Sequence, residues 1–224
     1  MKVTMFSQVS IDGKLTSGKG MSSRGLLQLL DEDALRFIHR FRGNVDAIMV
    51  GRNTIATDNP SLTTRYDQGP SPVRVIPSKR LQFPEGVAIL TTPEPTIIAT
   101  TVETSTSNRA DQLRRLGKEV VAAGKHQVDF GLLMTMLSGR GLNSLMVEGG
   151  GNVNWHMLKL GLIDEIILMQ IPILIGGSSN ITMVDGEGFR DAENAPRFEL
   201  AEVKQHRSFL LQRFVRATRA GCSA

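Results

Sequence analysis

The sequence predicts a single α/β domain with a mixed but mainly parallel sheet, flanked by helices and closed by a C-terminal antiparallel hairpin. Short apolar runs of strand length alternate along the chain with segments whose apolar residues recur at helical spacing. Residues 197–204 and 209–216 then alternate between apolar and polar side chains across a short polar link, which indicates a hairpin. No repeat or long linker divides the 224 residues. We therefore predict one domain over residues 1–217 and a flexible tail over residues 218–224.

The predicted elements follow this alternation from the first residues onwards. Residues 3–10 form a strand, and an Asp-Gly turn leads into an irregular loop, rich in Ser, Gly and Lys, over residues 15–25. Asp31 caps a helix that continues to about Arg42. Two further helices are expected at residues 108–116 and 129–138. The remaining strands are expected at residues 45–51, 73–76, 96–100, 119–123, 144–148 and 163–175.

The composition is that of an ordinary globular domain with a mild excess of positive charge. Hydrophobic residues make up 41% of the chain and charged residues 21%, with a net charge of +4 and a pI of about 9.5. Lysines and arginines are scattered rather than clustered, and the chain has one Trp and one Tyr. Nucleic-acid binding usually requires a basic stripe with aromatic residues. We therefore predict a small anionic or phosphorylated substrate and no nucleic-acid partner.

Cysteine and histidine usage excludes several kinds of site. The single cysteine, Cys222, permits no intrachain disulfide and no thiolate cluster, and the four histidines stand apart, so we predict no metal site. The N-terminal residues become polar from Ser7, without a signal-peptide core, and no apolar run approaches the roughly 20 residues of a membrane span. These observations favour a cytoplasmic protein without a membrane partner.

Residues 144–158 carry the strongest local signal. An apolar run of strand length meets three consecutive glycines at 149–151, after which apolar residues return at helical spacing. Glycine lets a ligand approach the backbone, and the N–H groups at a helix N-terminus favour a phosphate. Glu148, at the end of the strand, adds a carboxylate beside this turn. The same pattern also fits a tight connection capped by Asn152 without any ligand, and these residues alone do not decide between the two.

The chain lacks the signatures of the common hydrolases, kinases and dehydrogenases. There is no nucleophile elbow, no phosphate loop ending in Gly-Lys-Ser/Thr, and no full dinucleotide fingerprint around the glycines. A polar segment over residues 51–63 instead follows the second strand, and ligands in open α/β sheets lie at such strand ends. Glycines, hydroxyls, carboxylates and a few basic residues in one cleft suit a bound cofactor that supplies its own chemistry.

Five segments, in order and at compatible spacing, resemble the riboflavin-pathway reductases. They are residues 45–51, the Thr-x-x-x-Asp-Asn-Pro-x-Leu-Thr motif at 54–63, and residues 147–155, 161–165 and 184–189. The resemblance covers nearly the whole chain and is greatest to the stand-alone archaeal-type reductases of 2,5-diamino-6-ribosylamino-4(3H)-pyrimidinone 5′-phosphate. It implies a dihydrofolate-reductase-like fold, a homodimer, and NADPH-dependent reduction of the substrate's ring-closed ribosyl group at C1′ to an open ribityl chain.

The resemblance implies which residues hold the cofactor. It assigns the nicotinamide end of NADPH to Thr54 and Asp58. The turn that receives the pyrophosphate comprises Gly149, Gly150, Gly151 and Asn152. After the third strand, the relatives have an Asp-Ser pair where this chain has Ser78, Lys79 and Arg80. The gain of two cations favours a 2′-phosphate, and so NADPH over NADH, although a diverged cofactor pose is the alternative.

Other positions are assigned to the substrate and to catalysis. The resemblance matches substrate contacts to Ser23, Leu62, Arg65 and Glu148. Arg65 suits the 5′-phosphate, and Glu148 suits the amino groups of the pyrimidine. The catalytic candidates are Glu148 and two possible proton donors to the ribose ring oxygen, Lys14 and Asp58. The alternative for Lys14 is a solvated turn lysine, and the alternative for Asp58 is a turn residue before Asn59-Pro60.

Two other functions stay open on the sequence alone. One is a reductase of the same fold that acts on another pterin-like or nucleoside substrate. The other is a nucleotide-binding module without turnover, against which the presence of Arg65 and Glu148 argues, since such a module needs no substrate side.

Overall fold

The computed structural model describes residues 1–18, 20–66 and 69–217, and the predicted tail over residues 218–224 lies outside them. Its strands are β1 (Lys2–Ser10), β2 (Ala47–Val50), β3 (Val73–Pro77), β4 (Thr96–Thr100), β5 (Glu119–Ala122), β6 (Ser144–Gly149), β7 (Glu165–Ile171), β8 (Phe198–Gln205) and β9 (Leu210–Arg216). Its α-helices are α1 (Arg24–Leu27), α2 (Glu32–Gly43), α3 (Arg52–Asp58), α4 (Ala88–Thr91), α5 (Val102–Ser105), α6 (Asn108–Arg115), α7 (Phe130–Ser138) and α8 (Gly151–Lys159).

All of these strands belong to one sheet, in the order β5-β4-β3-β2-β6-β1-β7-β9-β8. Strands β1 to β7 are mutually parallel, whereas β9 is antiparallel to β7 and β8 is antiparallel to β9. The predicted mixed, mainly parallel sheet with a C-terminal hairpin is therefore confirmed. Because the parallel strands point the same way, the loops that follow them meet at one edge of the sheet, where ligands of open α/β sheets bind.

Apolar side chains cover both faces of the sheet, as expected for parallel strands buried between helices. On one face, α1, α2, α3, α4 and α6 pack on side chains that include Phe6, Ile48 and Ile76. On the other face, α7 and α8 pack on side chains that include Met5, Met49 and Val147. Alternate residues of β1 and β2 thus point to opposite cores, which explains why β2 reads as a continuous apolar run.

Most predicted elements are confirmed, and the differences are a shorter strand β7 and several short helices that were not predicted. Asp31 caps α2 by accepting from the backbone N–H of Ala34 at 2.9 Å, as predicted. The strand predicted at 163–175 is shorter, because a bend around Pro172 ends β7 at Ile171. The polar segment after β2 contains α3, and the loop after β1 ends in α1. Neither helix has the apolar periodicity that predicts a helix from sequence.

A β-bulge changes which side chains of β8 face the same way. The pairing with β9 shifts between Leu200 and Glu202, so that Leu200 lies opposite Phe214 and Val203 lies opposite Gln212. Leu200 and Val203 therefore share one sheet face despite their odd spacing. Both are exposed, at 57% and 51%, so the outer strand of the hairpin presents uncovered apolar surface.

Candidate active site

The main cavity lies at the carboxyl edge of the parallel strands and encloses about 1150 Å³. It is lined by the loops and helix starts that follow β1, β2, β3, β5, β6 and β7. Typical small-molecule pockets measure about 300–1,000 Å³. This cavity is large enough for a dinucleotide and a second ligand together.

The three glycines form the turn from β6 into α8 at the middle of this edge. Gly149 has φ of +88°, a conformation that favours glycine, and its carbonyl accepts from the N–H of Gly51 at 2.7 Å. Gly150 is the N-cap of α8, and its N–H donates to Thr54 Oγ1 at 3.3 Å. Asn152 lies inside the first turn of the helix, so the alternative cap at Asn152 is wrong. The extended backbone that a cap requires falls two residues earlier.

Gly151 is required by a neighbouring loop. A Cβ added there lies 2.5 Å from Asp185 Oδ2 and 2.6 Å from the Thr182 carbonyl oxygen. Two hydrogen bonds fix the loop after β7 at this point. Asp185 N–H donates to the Gly151 carbonyl at 3.1 Å, and Asp185 Oδ1 accepts from the Thr182 hydroxyl at 2.8 Å. The absence of a side chain at Gly151 therefore lets the loop after β7 close against the start of α8.

A second wall of the cavity comes from two loops that pair with each other. Leu15 N–H donates to the Ile181 carbonyl at 2.9 Å, and Met183 N–H donates to the Gly13 carbonyl at 3.0 Å. Lys14 forms the isolated bridge with Thr182 between these two bonds. The loop after β1 is thereby joined to the loop after β7.

Asp58 joins α3 to the loop that precedes α1. Its Oδ2 accepts from the Ser23 hydroxyl at 2.6 Å, and its Oδ1 accepts from the Ser23 N–H at 3.2 Å. Asp58 is 8% exposed, and both residues line the cavity. Asp58 is thus the last residue of a helix and holds the adjacent loop in place, which differs from the simple turn residue that was the alternative.

Glu148 lines the cavity and forms an ion pair with Arg42, which lies outside the cavity lining. Arg42 of α2 donates from Nε to Glu148 Oε1 at 2.7 Å and from Nη2 to Glu148 Oε2 at 2.8 Å. Both side chains are about nine-tenths buried, with exposures of 11% and 12%. Despite burial, which acts to lower it, the pKa of Arg42 is raised because Glu148 holds the cation by charge and by hydrogen bonding.

His39 lies one turn before Arg42 on the same helix and is 3% exposed. Its Nδ1 accepts from the Arg65 N–H at 3.1 Å, and Tyr66 packs edge-on against its ring with centroids 4.9 Å apart. Burial, followed by the charges of Arg42 and Arg65, lowers the pKa of His39 to about 4. The imidazole is therefore neutral near neutral pH, which keeps Nδ1 available as an acceptor.

The residues that follow β3 line the part of the cavity where Lys79 and Arg80 are predicted to favour the 2′-phosphate of NADPH. Ser78 is buried, and its N–H donates to the Ala99 carbonyl at 2.8 Å. Lys79 and Arg80 are exposed at the cavity wall. Phe130 and His156, of α7 and α8, stack with ring centroids 5.6 Å apart and also line the cavity.

The cavity brings together most, but not all, of the residues singled out from the sequence. Its lining includes Ser23, Thr54, Asp58, Ser78, Lys79, Arg80, Glu148, Gly150, Gly151 and Asn152. Four others lie outside the lining: Lys14, Leu62, Arg65 and Gly149. Leu62 is 1% exposed, with φ of +56°, and packs in the core beneath the site. Arg65 is exposed, and its backbone N–H donates to His39 Nδ1.

Residues 1–18, 20–66 and 69–217 hold neither a metal-binding cluster nor a membrane-spanning helix. In that part of the chain, no group of three or more His, Cys, Asp and Glu side chains is arranged to hold a metal ion. None of its helices combines the length and the apolar character that crossing a membrane demands.

The family model of the RibD C-terminal domain matches residues 1–210. The chain belongs to the RibD C-terminal domain family. Among its relatives in this family, the 2,5-diamino-6-ribosylamino-4(3H)-pyrimidinone 5′-phosphate reductase of Aquifex aeolicus is 46% identical over 193 residues, which cover 86% of each chain. The reductase of that name from Methanothermobacter thermautotrophicus is 38% identical over 201 residues, which cover 88% of this chain and 90% of the relative.

Solved structures of RibD-type proteins share the fold. Acinetobacter baumannii RibD aligns with a TM-score of 0.80 at 23% identity, over 97% of this chain and 58% of that chain. The riboflavin biosynthesis reductase of Saccharomyces cerevisiae aligns with a TM-score of 0.70 at 20% identity, over 96% of this chain and 90% of that one. The fold is thus the dihydrofolate-reductase-like fold of RibD-type reductases, as the resemblance implied.

Three contributors to the site were not singled out from the sequence. Arg42 and His39 fall within the helix predicted from Asp31 to about Arg42, but their partners are distant in sequence, at Glu148 and Arg65. Asp185 was part of a matching segment without any assigned contact. For His39 and Arg42, the available signal was their spacing of three residues, which places two polar side chains on one face of an amphipathic helix.

Proposed function

We propose that this protein reduces the ribosyl group of 2,5-diamino-6-ribosylamino-4(3H)-pyrimidinone 5′-phosphate to the ribityl chain of riboflavin biosynthesis, with NADPH as the hydride donor. The observation that carries this function is the 46% identity to a reductase of that name over 86% of both chains. The cavity supports it, because a carboxylate, hydroxyls, a glycine turn and cations line one space. A cytoplasmic location belongs to the same proposal, since NADPH and a phosphorylated intermediate are intracellular metabolites.

The residues at the glycine turn fit a dinucleotide. The first-turn N–H groups of a helix have no intrahelical acceptor, and those of α8 begin at Gly151, beside the cavity. A pyrophosphate is favoured at such a helix N-terminus. In this proposal Gly150, Gly151 and Asn152 hold the pyrophosphate, and Thr54 and Asp58 hold the nicotinamide end. When bound, NADPH supplies the hydride that reduces C1′.

The chain itself contributes positioning and charge around the reacting carbon. The Asp58–Ser23 pair fixes the loop beside the nicotinamide end. Glu148 offers acceptor oxygens to the amino groups of the pyrimidine. Of the two candidates for passing a proton to the ribose ring oxygen, Asp58 lines the cavity and Lys14 does not.

The test is NADPH oxidation with the diamino-pyrimidinone phosphate, run beside its deaminated analogue. We expect turnover with the diamino compound, because the carboxylate of Glu148 accepts from an amino group and repels a ring carbonyl. Faster turnover of the deaminated compound would reassign the substrate. Absence of turnover with both compounds would overturn the proposed function.

We further propose that Lys79 and Arg80 select NADPH over NADH by pairing with the 2′-phosphate. Lys79→Ala and Arg80→Ala should each raise KM for NADPH about tenfold, the loss of one charge-assisted contact, and leave KM for NADH within about twofold. Steady-state kinetics with both cofactors measure this. Arg115→Ala, an exposed arginine outside the cavity, is the control. Equal increases of KM for both cofactors would show that neither cation touches the 2′-phosphate.

The proposal includes a homodimer that forms through the outer hairpin. The supporting feature is the apolar surface of Leu200 and Val203 on the edge strand β8. That surface continues the sheet face that α7 and α8 cover elsewhere, since Phe214, opposite Leu200, packs into that core. Exposed apolar surface at a sheet edge favours association with another chain.

Leu200→Glu should therefore shift the protein from a dimer to its monomer mass of 24.5 kDa, because it places a charge in the apolar contact. Size-exclusion chromatography with light scattering measures the mass. Leu116→Glu replaces a leucine of similar exposure, 53%, elsewhere on the surface and should leave the dimer intact. A wild-type monomer would contradict the dimer, and a dimeric Leu200→Glu variant would contradict its location.

A further inference from the structure

A glutamine on the central strand β1 faces the cavity, and the proposed function gives it no role. Strand β1 lies between β6 and β7 in the sheet, and Gln8 pairs in register with Met169 of β7. Gln8 is half-buried, lies near the carboxyl end of its strand and lines the cavity. Its side chain is therefore placed to contact whatever the cavity holds.

Gln8 projects from the same face of the sheet as Glu148. Side chains of a strand alternate between the two faces, so Gln8 shares a face with Phe6, two residues earlier. Phe6 packs in the same core as Met146 of β6, which lies two residues before Glu148. Strands β1 and β6 are neighbouring parallel strands. The carboxamide of Gln8 and the carboxylate of Glu148 therefore line one side of the cavity.

The Gln8 carboxamide has no partner in the protein, unlike the carboxylates that line the same cavity. Within residues 1–18, 20–66 and 69–217, no hydrogen bond joins its oxygen or its nitrogen to another group. Glu148 is held by Arg42, and Asp58 is held by Ser23. A ligand that covers Gln8 removes its two N–H donors and its acceptor oxygen from water. Such a ligand must pair these groups, because a buried polar group without a partner is costly.

Gln8 and Glu148 offer hydrogen bonds to different edges of a pyrimidinone. A carboxylate only accepts, so Glu148 suits the ring N–H and the amino group on C2. The carbonyl on C4 adjoins the amino group on C5, and this edge requires a side chain that both donates and accepts. Glutamine pairs in that way with the adjacent acceptor and amino group of adenine. Leu26 and Leu27 of α1 line the same side of the cavity and supply apolar contact for the ring.

We propose that Gln8 is a specificity residue for the substrate: its Nε2 donates to the carbonyl oxygen on C4, and its Oε1 accepts from the amino group on C5. This inference rests on the proposed function, since it assigns a further contact to the same pyrimidine. Deamination at C2 leaves C4 and C5 unchanged. Gln8 therefore acts equally on the diamino and the deaminated compound, whereas Glu148 distinguishes them.

The test combines Gln8→Met with a substrate analogue that lacks the amino group on C5. We expect Gln8→Met to raise KM for the substrate about tenfold, with kcat and the Kd for NADPH changed less than about threefold. Loss of the C5 amino group should raise KM about fivefold in the wild-type protein and less than about twofold in Gln8→Met, where its partner is already gone. Gln112→Met, at an exposed position of α6 outside the cavity lining, is the matched control.

Gln8→Glu tests the donor end of the carboxamide and also covers the case in which Gln8→Met does not fold. Glutamate keeps the shape and the acceptor but loses the N–H groups. It should raise KM about tenfold for the diamino and the deaminated compound alike, because its carboxylate repels the carbonyl oxygen on C4. A wild-type KM in Gln8→Glu would overturn the inference.

Two further results would overturn the inference while leaving the proposed function intact. A raised Kd for NADPH in Gln8→Met, with an unchanged KM for the pyrimidine, would place Gln8 against the carboxamide of the nicotinamide instead. Additive effects of Gln8→Met and of the missing C5 amino group would show that the two do not touch. Absence of turnover by the wild-type protein with both pyrimidines would overturn the proposed function, and the inference with it.

Discussion

Gly151→Ala should lower the free energy of unfolding by about 3 kcal/mol, the upper part of the range for overpacking a fixed site. The added Cβ meets Asp185 Oδ2 at 2.5 Å and the Thr182 carbonyl oxygen at 2.6 Å. The Asp185 side chain can rotate away, but the carbonyl belongs to a backbone that Met183 N–H ties to Gly13. The loop after β7 must therefore move off α8 and open the cavity wall. Denaturant unfolding and NADPH titration measure the two effects.

Gly150→Ala is the matched control, because it adds the same methyl group one residue earlier. Its Cβ has Thr54 Oγ1 as its nearest neighbour, at 3.5 Å, which is an ordinary contact, and the residue has no positive φ. The expected loss is below about 1 kcal/mol, as for alanine at an N-cap. If both variants were equally stable, the close approach of Asp185 and Thr182 to Gly151 would be contradicted.

The two glycines illustrate how much of the site could be predicted from sequence. A strand, a glycine turn and a helix were predictable from local spacing, and residues 144–158 fold in that way. The structural reason for a glycine at each of these positions was not predictable from the sequence. Gly149 needs a positive φ, and Gly151 leaves space for a loop that lies more than thirty residues later in the sequence. Gly150 has neither constraint, because its φ is not positive and the nearest atom to an added Cβ lies at 3.5 Å. Contacts that are distant in sequence leave no local periodicity.

The same limit applies to the helices and to the charged residues. The helix α2 was predictable because it has both a cap at Asp31 and apolar residues at helical spacing. The helix α3 was missed because only Ile55 and Asp58 of its seven residues are buried, which is too few to give a periodic signal. Arg65 was matched to a substrate contact by its motif, yet it lies outside the cavity lining and is attached to His39. Resemblance identifies a position, whereas burial and pairing depend on the fold.

His39 should make the stability of this protein pH-dependent on the acid side of neutrality. Its folded-state pKa is lowered to about 4 from an ordinary value of 6.5. The unfolded state therefore binds a proton in this interval that the folded state does not, and the free energy of unfolding falls as the pH falls. We expect a loss of about 2 kcal/mol between about pH 7 and pH 5, which levels off below about pH 4, where both states are protonated.

His39→Asn separates this effect from the titration of the carboxyl groups. The Asn side chain keeps an acceptor where Nδ1 accepts from Arg65 but does not titrate, so the variant should lose the pH dependence above about pH 5 and keep the wild-type behaviour at lower pH. Several carboxyl groups with lowered pKa values, among them Asp31, Asp46 and Glu165, still lose stability at lower pH because they must be protonated there. His126→Asn removes an imidazole at an exposed position and is the control for the loss of a histidine as such. Urea unfolding at a series of pH values measures all three proteins, and an unchanged slope in His39→Asn would mean that this imidazole is not held neutral by its burial.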